Sequence, residues 1–233
     1  MTPHPLPKLK TYAYADIRPY AAMTKVFLVI TGIATLACMV ATLLQWELFT
    51  HGAFTEQEGD ASDKLMLTTG ILRLIAYVIA GICLIAWTYR AHVNARSQGV
   101  FGLTLEPGLY ACSYLIPFVN FWLPFQGMKE LWTHCFAVAG AKPSATPPLL
   151  VVWWTTWLLT SFLGVYVSKI LKVVDIPSGI YASQMNLVWL ACSLAAGVLV
   201  TVVPRASFAH GAQALQHALA DGSRRSRRRD ALS

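Results

Sequence analysis

The chain has 233 residues, of which 56% are hydrophobic and only 12% are charged, and its net charge is +7. Soluble domains carry about 25% charged residues, so this composition excludes an ordinary water-soluble domain with one buried core. An integral membrane protein is the class that remains.

The N-terminal arm, residues 1–24, contains four prolines in its first twenty residues and no apolar run. It therefore lacks the features of a cleavable signal peptide. We predict a cytoplasmic arm that precedes a membrane domain at residues 25–217, followed by a basic, disordered tail at 218–233. The tail contains the run DGSRRSRRRD at 221–230.

The membrane domain contains four segments with enough apolar residues to cross a bilayer, which takes about 20 residues in a helix. They are residues 26–46, 65–87, 149–168 and 181–203. Backbone groups in lipid have to be satisfied within the segment, so each is predicted to be an α-helix.

The stretch between the second and third spans, residues 105–138, is apolar but is interrupted by Pro117 and Pro124. An interior proline removes a helical hydrogen bond and clashes with the preceding turn. Phe125, Met128 and Trp132 then recur at helical spacing with polar residues between them, a pattern that continues at Cys135/Phe136 and is typical of an amphipathic helix. We predict a proline-kinked element that is either re-entrant or in the plane of the interface.

The distribution of basic residues favours four crossings over five. Cytoplasmic loops collect Lys and Arg. With four spans, the basic residues of the arm, the central loop and the tail all lie on one side. Only three lysines lie on the other side, namely Lys64, Lys169 and Lys172. A fifth crossing at 105–125 would move the arginine-rich tail to the opposite side. The expected fold is therefore an all-α, multi-pass protein with both termini in the cytoplasm.

The segments WTYRAHVNARSQG (87–99) and LEPGLYACSYLIPFVNFWLPFQGMKELW (105–132) resemble a bacterial membrane-protein family, the domain-of-unknown-function family numbered 4328. The matching positions are Trp87, Tyr89, Arg90, Asn94, Gly99, Pro107, Gly108, Pro117, Asn120, Trp122, Pro124, Gln126, Glu130 and Trp132. Leu123 departs from the pattern, which has a basic residue there. The resemblance covers about residues 25–217. It implies the same topology and no established activity.

A candidate lipid-binding, partner-binding or structural site follows from the polar residues of these motifs. Its members are Arg90, Asn94, Arg96, Asn120, Gln126 and Glu130. The arginines either bind phosphate groups or are an ordinary basic helix end. Asn120 either satisfies carbonyls freed by the prolines or binds a ligand. An ion pair between Glu130 and Arg90 or Arg96 is a further hypothesis.

Arg73 is the one basic residue inside a predicted span. A charge within the membrane is a functional-site hypothesis by default. The alternatives are that its side chain extends to the outer interface or pairs with an acid such as Glu47.

The sequence contains no recognised catalytic motif and no His or Cys spacing typical of a metal site, so neither catalytic residues nor cofactors are expected. The leading hypothesis is a non-enzymatic scaffold, or a lipid- or partner-binding module, of the bacterial inner membrane. A small transporter or channel subunit is the alternative, and an enzyme acting on lipid is a third. The expected partners are anionic headgroups at the cytoplasmic face, and a second copy of the chain or another membrane protein is the alternative partner. The basic tail favours lipid over nucleic acid.

Overall fold

The computed structural model describes residues 12–97, 103–138, 146, 148–170 and 175–201, with the backbone alone for 134–138. In these ranges all regular secondary structure is helical. The elements are α1 Arg18–His51, α2 Glu56–Ser97, α3 Pro107–Cys112, a 3-10 turn Val119–Phe121, α4 Leu123–Val138, α5 Pro148–Ile170 and α6 Ile176–Thr201. The predicted tail, the first eleven residues of the arm and the last two residues of the fourth span lie outside the described residues.

Four of the described helices, α1, α2, α5 and α6, are long and apolar enough to cross a membrane. In each of them, no more than 22% of the most apolar window is buried inside the chain. Their outward-facing apolar surfaces therefore fit a lipid environment better than water. The prediction of four helices with the length and composition of membrane spans is confirmed. The helices α1 and α2 both extend beyond the apolar segments that defined the predicted spans.

A short turn reverses the chain between α1 and α2. Gly52 has a φ of 72°, and its amide donates to the carbonyl of Phe49 at 3.2 Å, which ends α1. Thr55 and Glu58 then exchange hydrogen bonds between side chain and backbone, with Thr55 N to Glu58 Oε2 at 2.7 Å. This reciprocal pair is a capping box, and it begins α2.

Polar side chains join the spanning helices near one end of the bundle. The amide nitrogen of Asn186 in α6 donates to the hydroxyl of Thr42 in α1 at 2.9 Å, and both residues are buried. The Thr42 hydroxyl donates to its own helix, to the carbonyl of Cys38. An amide inside a span is costly unless it is bonded, so this pair fixes α6 against α1.

A cluster of large apolar side chains holds the opposite end of the bundle. Its buried members are Trp87, Met128, Leu150, Trp153, Trp154 and Val200. Ile17 and Ala21 pack against the same cluster. The start of α1, the end of α2, the start of α5 and the end of α6 therefore meet here, together with α4. We call this end of the molecule, where these helix ends and α4 meet, the clasp end.

Residues 105–125 do not form a long helix. The six-residue helix α3 is followed by a turn at Phe118, whose φ is 65° and ψ is −47°. The amide of Val119 donates to the carbonyl of Pro117 at 2.8 Å. This bond across one residue, with a positive φ at the centre, defines a γ-turn of the rare, strained type. The apolar run is thus folded back on itself between its two prolines.

Candidate functional site

Asn94, near the end of α2, binds the backbone of the N-terminal arm. Its side-chain amide donates to the carbonyl of Ala15 at 2.8 Å and accepts from the Ala15 amide at 3.2 Å. Asn94 is only 7% exposed. Because an asparagine amide has the same donor and acceptor groups as a peptide unit, it pairs with an extended segment as a neighbouring strand would.

Two arginines on the same helix end also bind backbone carbonyls. Arg90 Nη2 donates to the carbonyl of Ala13 at 3.2 Å. Arg96 Nη2 donates to the carbonyl of Leu105 at 2.6 Å, and its guanidinium lies 5.7 Å from the ring centre of Tyr12. These contacts hold two separate segments, the arm and the residues before α3, against α2.

Thr104 connects Glu130 in α4 to Tyr110 in α3. The Thr104 hydroxyl donates to Glu130 Oε1 at 2.6 Å and lies 2.8 Å from the Tyr110 hydroxyl, while the Thr104 amide donates to Glu130 Oε2 at 3.3 Å. Burial, with the Glu130 carboxylate close by, raises the pKa of Tyr110 to about 12. The phenol therefore stays protonated and can donate to Thr104. We call the set Arg90, Asn94, Arg96, Thr104 and Glu130 the polar clasp.

His92 and Tyr110 stack beneath the polar clasp. Their ring centres are 4.3 Å apart at 18°, and both residues are almost fully buried. Gly127 of α4 lies directly against them. A Cβ atom at Gly127 would be 2.8 Å from Tyr110 Cδ1 and 3.2 Å from His92 Nε2. The absence of a side chain at this position is what lets α4 approach α2 and α3 so closely.

Aromatic contacts place the folded-back segment along α5. Phe121 stacks on Phe162 with ring centres 5.6 Å apart, and Phe125 lies 6.0 Å from Trp154. The two α5 residues are eight positions apart, which corresponds to about 12 Å along a helix. Phe118, at the turn itself, is 84% exposed.

Arg73 lies among three of the spanning helices. Its Nε donates to the Thr35 hydroxyl in α1 at 3.3 Å, and its guanidinium lies 4.3 Å from the ring centre of Trp189 in α6. Thr35 and Trp189 are near the midpoints of their helices. The Arg73 head group is therefore held inside the bundle rather than extended to the outer interface. Glu47, the acid considered as its partner, lies beside His51 instead, with Glu47 Oε1 3.8 Å from His51 Nε2.

The structure thus brings together four of the six residues that we predicted from the sequence as a candidate site. Arg90, Asn94, Arg96 and Glu130 form the polar clasp, although Glu130 pairs with Thr104 and the arginines pair with carbonyls rather than with Glu130. Asn120 is half-buried and its Oδ1 atom is enclosed without a hydrogen-bond partner. Among the described residues, no hydrogen bond joins Asn120 or Gln126 to the polar clasp.

Several residues of these contacts are absent from the sequence-based site. Thr104, Tyr110, His92 and Gly127 lie within or beside the strongest motifs, where a buried tyrosine and glycine could have been noted. Asn186 and Trp189 contact α1 and α2 from α6. The signal available for Asn186 was its position as an amide inside an apolar span.

The ranges that the structure describes contain no group of three or more His, Cys, Asp or Glu side chains placed to hold a metal ion. Three arginines, Arg73, Arg90 and Arg96, have guanidinium groups that contact backbone carbonyls, hydroxyls or aromatic rings in these ranges. Each of them favours an anion.

Comparison with known protein families gives one match, which covers residues 50–207 of the chain. The matching family is described as "Domain of unknown function (DUF4328)". The chain belongs to this family. The matched range includes every motif position named above, so the resemblance seen in the sequence is confirmed. The match begins in the last turn of α1, so the predicted first span, residues 26–46, lies outside it. No curated protein and no solved structure matches the chain.

Membership in DUF4328 assigns no activity, because the family is defined as one of unknown function. The polar clasp, the folded-back aromatic segment and the part of α2 that carries Arg73 all lie within the family region. The first span and Thr35 lie before it.

Proposed function

We propose that this protein is a non-enzymatic integral membrane module of the bacterial inner membrane that binds anionic lipid headgroups at its cytoplasmic face. The proposal rests on the hydrogen bonding of Arg90 and Arg96. Both donate to backbone carbonyls, and the Nε atom of each is enclosed without a hydrogen-bond partner. Two positive charges thus lie at the clasp end without an ion pair among the described side chains. A phosphate group supplies the negative charge that these two guanidinium groups lack.

The charges at the two ends of the bundle support the orientation. At the clasp end the described basic residues outnumber the acidic ones. The basic residues are Arg18, Lys25, Arg90, Arg96 and Lys129, and the acidic residues are Asp16, Glu106 and Glu130. At the other end the described acidic residues outnumber the basic ones. The acidic residues are Glu47, Glu56, Glu58, Asp60, Asp63 and Asp175, and the basic residues are Lys64 and Lys169. Because basic residues are retained on the cytoplasmic side, the clasp end faces the cytoplasm in this proposal.

The folded-back segment is re-entrant in this proposal rather than in the plane of the interface. The start of α5 packs at the clasp end, while Phe162, the partner of Phe121, lies about 20 Å further along the helix. The hydrocarbon core is about 30 Å thick, so the turn at Phe118 reaches roughly the middle of the bilayer. Exposure of Phe118 then means contact with acyl chains. The apolar side chains Phe125, Met128 and Leu131 pack on the core as α4 returns to the interface.

The same contacts favour binding over catalysis. Glu130 is the one carboxylate of the candidate site, and both its oxygens accept hydrogen bonds from Thr104. A general acid or base has to reach a proton on the substrate. Here the carboxylate is occupied in joining α4 to the segment before α3, which is a structural role.

Lipid binding can be measured by native mass spectrometry of protein released from bilayer discs that hold equal amounts of phosphatidylglycerol and phosphatidylcholine. We expect the wild-type protein to retain phosphatidylglycerol preferentially. Replacing Arg90 and Arg96 by Gln is expected to reduce this preference by about fivefold per arginine, since each basic residue near an anionic surface contributes about 1 kcal/mol.

The matched control is the pair Lys64→Gln and Lys169→Gln, which removes the same charge from the opposite end of the bundle. The control is expected to keep the wild-type preference. Equal retention of the two lipids by the wild-type protein contradicts the proposal, and so does an equal loss in the clasp variant and the control. The wild-type measurement decides the matter even if the arginine variants fold poorly.

A further inference from the structure

Arg73 carries a positive charge at the centre of the bundle, and no acidic side chain among the described residues forms an ion pair with it. The contacts of its guanidinium are with the neutral hydroxyl of Thr35 and the ring of Trp189. Residues 18–46, 65–97, 148–170 and 176–201 contain no Asp or Glu. The counter-charge therefore has to come from outside these four ranges, and the same ranges of a second copy cannot supply it either.

The groups around Arg73 fix its orientation. The Thr35 hydroxyl donates to the carbonyl of Thr31 at 2.7 Å, so it faces Arg73 as an acceptor. The Trp189 ring is held by its own hydrogen bond, from Nε1 to the carbonyl of Thr160 in α5 at 3.1 Å. Gly164 permits this position, because a Cβ atom there would be 2.9 Å from Trp189 Nε1. All four spanning helices thus contribute to the position of one guanidinium.

One edge of that guanidinium is left for a ligand. A guanidinium has five N–H donors in a plane. Within the described part of the chain, Nε makes the hydrogen bond to Thr35, while the two terminal nitrogens make none. These two nitrogens form the fork that binds a carboxylate through two parallel hydrogen bonds. Unsatisfied donors and an unpaired charge are both costly inside a membrane, so the arrangement favours occupation.

We propose that Arg73, held by Thr35 and Trp189, is a carboxylate-binding site at the centre of the transmembrane bundle. The carboxylate belongs to an acidic residue in the transmembrane helix of another protein or to a free carboxylate ion. Both sources meet the same chemistry at Arg73. The site is separate from the polar clasp and does not depend on lipid binding there.

Two probes distinguish the sources when the purified protein is placed in phosphatidylcholine liposomes at neutral pH. The first probe is a synthetic polyleucine transmembrane peptide with one Asp at its centre, and the matched peptide has Asn at that position. Association is followed by energy transfer between labels on the peptide and the protein. The second probe is acetate, with chloride as the control ion, and its effect on the thermal unfolding midpoint is measured.

If a partner helix supplies the carboxylate, the Asp peptide binds about tenfold more tightly than the Asn peptide, as expected for a charged hydrogen-bonded pair. Arg73→Gln abolishes this difference, and Lys64→Gln, on the same helix outside the apolar segment, preserves it. If a free ion supplies the carboxylate, acetate raises the thermal unfolding midpoint of the wild-type protein and of Lys64→Gln but not that of Arg73→Gln. Both results support the site.

The proposal is overturned if the wild-type protein binds the two peptides equally and acetate has no more effect than chloride. It is also overturned if Arg73→Gln retains every discrimination of the wild-type protein. Because the wild-type comparison needs no variant, poor folding of Arg73→Gln leaves the test decisive. Arg73→Lys, which keeps the charge but loses the fork, is expected to show reduced discrimination by either probe.

Discussion

Asn94 and Ala15 exchange two hydrogen bonds, so a side chain near the end of α2 pairs with the backbone of the N-terminal arm. The two residues are far apart in the sequence. The pairing fixes Ala15 and its described neighbours beside the point where α3 and α4 also meet α2, so this part of the arm packs on the membrane domain.

Removing the Asn94 amide is expected to release the arm. Asn94→Ala leaves the Ala15 carbonyl and amide without partners, at a cost of about 1–3 kcal/mol. Asn94→Asp keeps the acceptor for the Ala15 amide but loses the donor. Hydrogen exchange of the Ala15 amide should be fastest in the Ala variant and intermediate in the Asp variant. Ser97→Ala, which removes a hydroxyl that donates to the Asn94 carbonyl within the same helix, serves as the control. Unchanged exchange in Asn94→Ala would show that the arm is held by other contacts.

Gly127→Ala is expected to destabilise the packing of α4 on α2 and α3. The added Cβ would lie 2.8 Å from Tyr110 Cδ1, and overpacking of this kind costs about 1–3 kcal/mol. Gly108→Ala in α3 is the matched control, because a Cβ atom there meets nothing within 4 Å. Thermal unfolding in detergent should show a lower midpoint for the first variant alone. Equal midpoints for the two variants would mean that α4 does not approach the His92–Tyr110 pair this closely.

Stability at alkaline pH is expected to depend on Tyr110. Burial and the nearby Glu130 carboxylate raise the pKa of Tyr110 to about 12, against about 10 in an unfolded chain. The folded state therefore holds the phenolic proton more tightly. This contribution is fully present below pH 10 and is lost as the pH rises toward 12. The difference in unfolding free energy between the wild-type protein and Tyr110→Phe should shrink over that interval. A difference that is constant or grows with pH would contradict the assignment.

The γ-turn at Phe118 predicts an unusual effect of glycine. A non-glycine residue at a positive φ of this kind stores about 1–3 kcal/mol of strain. Phe118→Gly should therefore raise the unfolding free energy in detergent by about 1 kcal/mol after the entropic cost of glycine is subtracted. Leu115→Gly, also at an exposed apolar position but without a positive φ, should lower it. If both variants lower stability equally, the turn is not strained.

The number of spans was predictable from the sequence because the length of an apolar helix is set by bilayer thickness. The break between Pro117 and Pro124 was also predictable, since proline cannot continue a helix without loss of a hydrogen bond. The γ-turn was not, because its central residue is Phe118 where a glycine would have signalled a positive φ.

The partners of the candidate site residues were harder to predict. Arg90 binds the carbonyl of Ala13 and Arg96 that of Leu105. Because every residue has a carbonyl, the sequence of neither segment carries a signal for the contact. Charge alone suggested Glu130 as the partner, but Thr104 occupies that carboxylate instead. Asn186 was missed because a single amide in an apolar span does not alter its hydropathy enough to stand out.

We propose that the chain crosses the membrane four times and places the clasp end, with Arg90 and Arg96, in the cytoplasm. Topology reporters fused after Ser233 and, separately, after Ala141 test it directly in a Gram-negative host. An alkaline phosphatase reporter is active only in the periplasm, and a fluorescent protein reporter that folds only in the cytoplasm gives the complementary signal. With four spans and a cytoplasmic clasp end, both positions give fluorescence and neither gives phosphatase activity. Phosphatase activity at either position would contradict it.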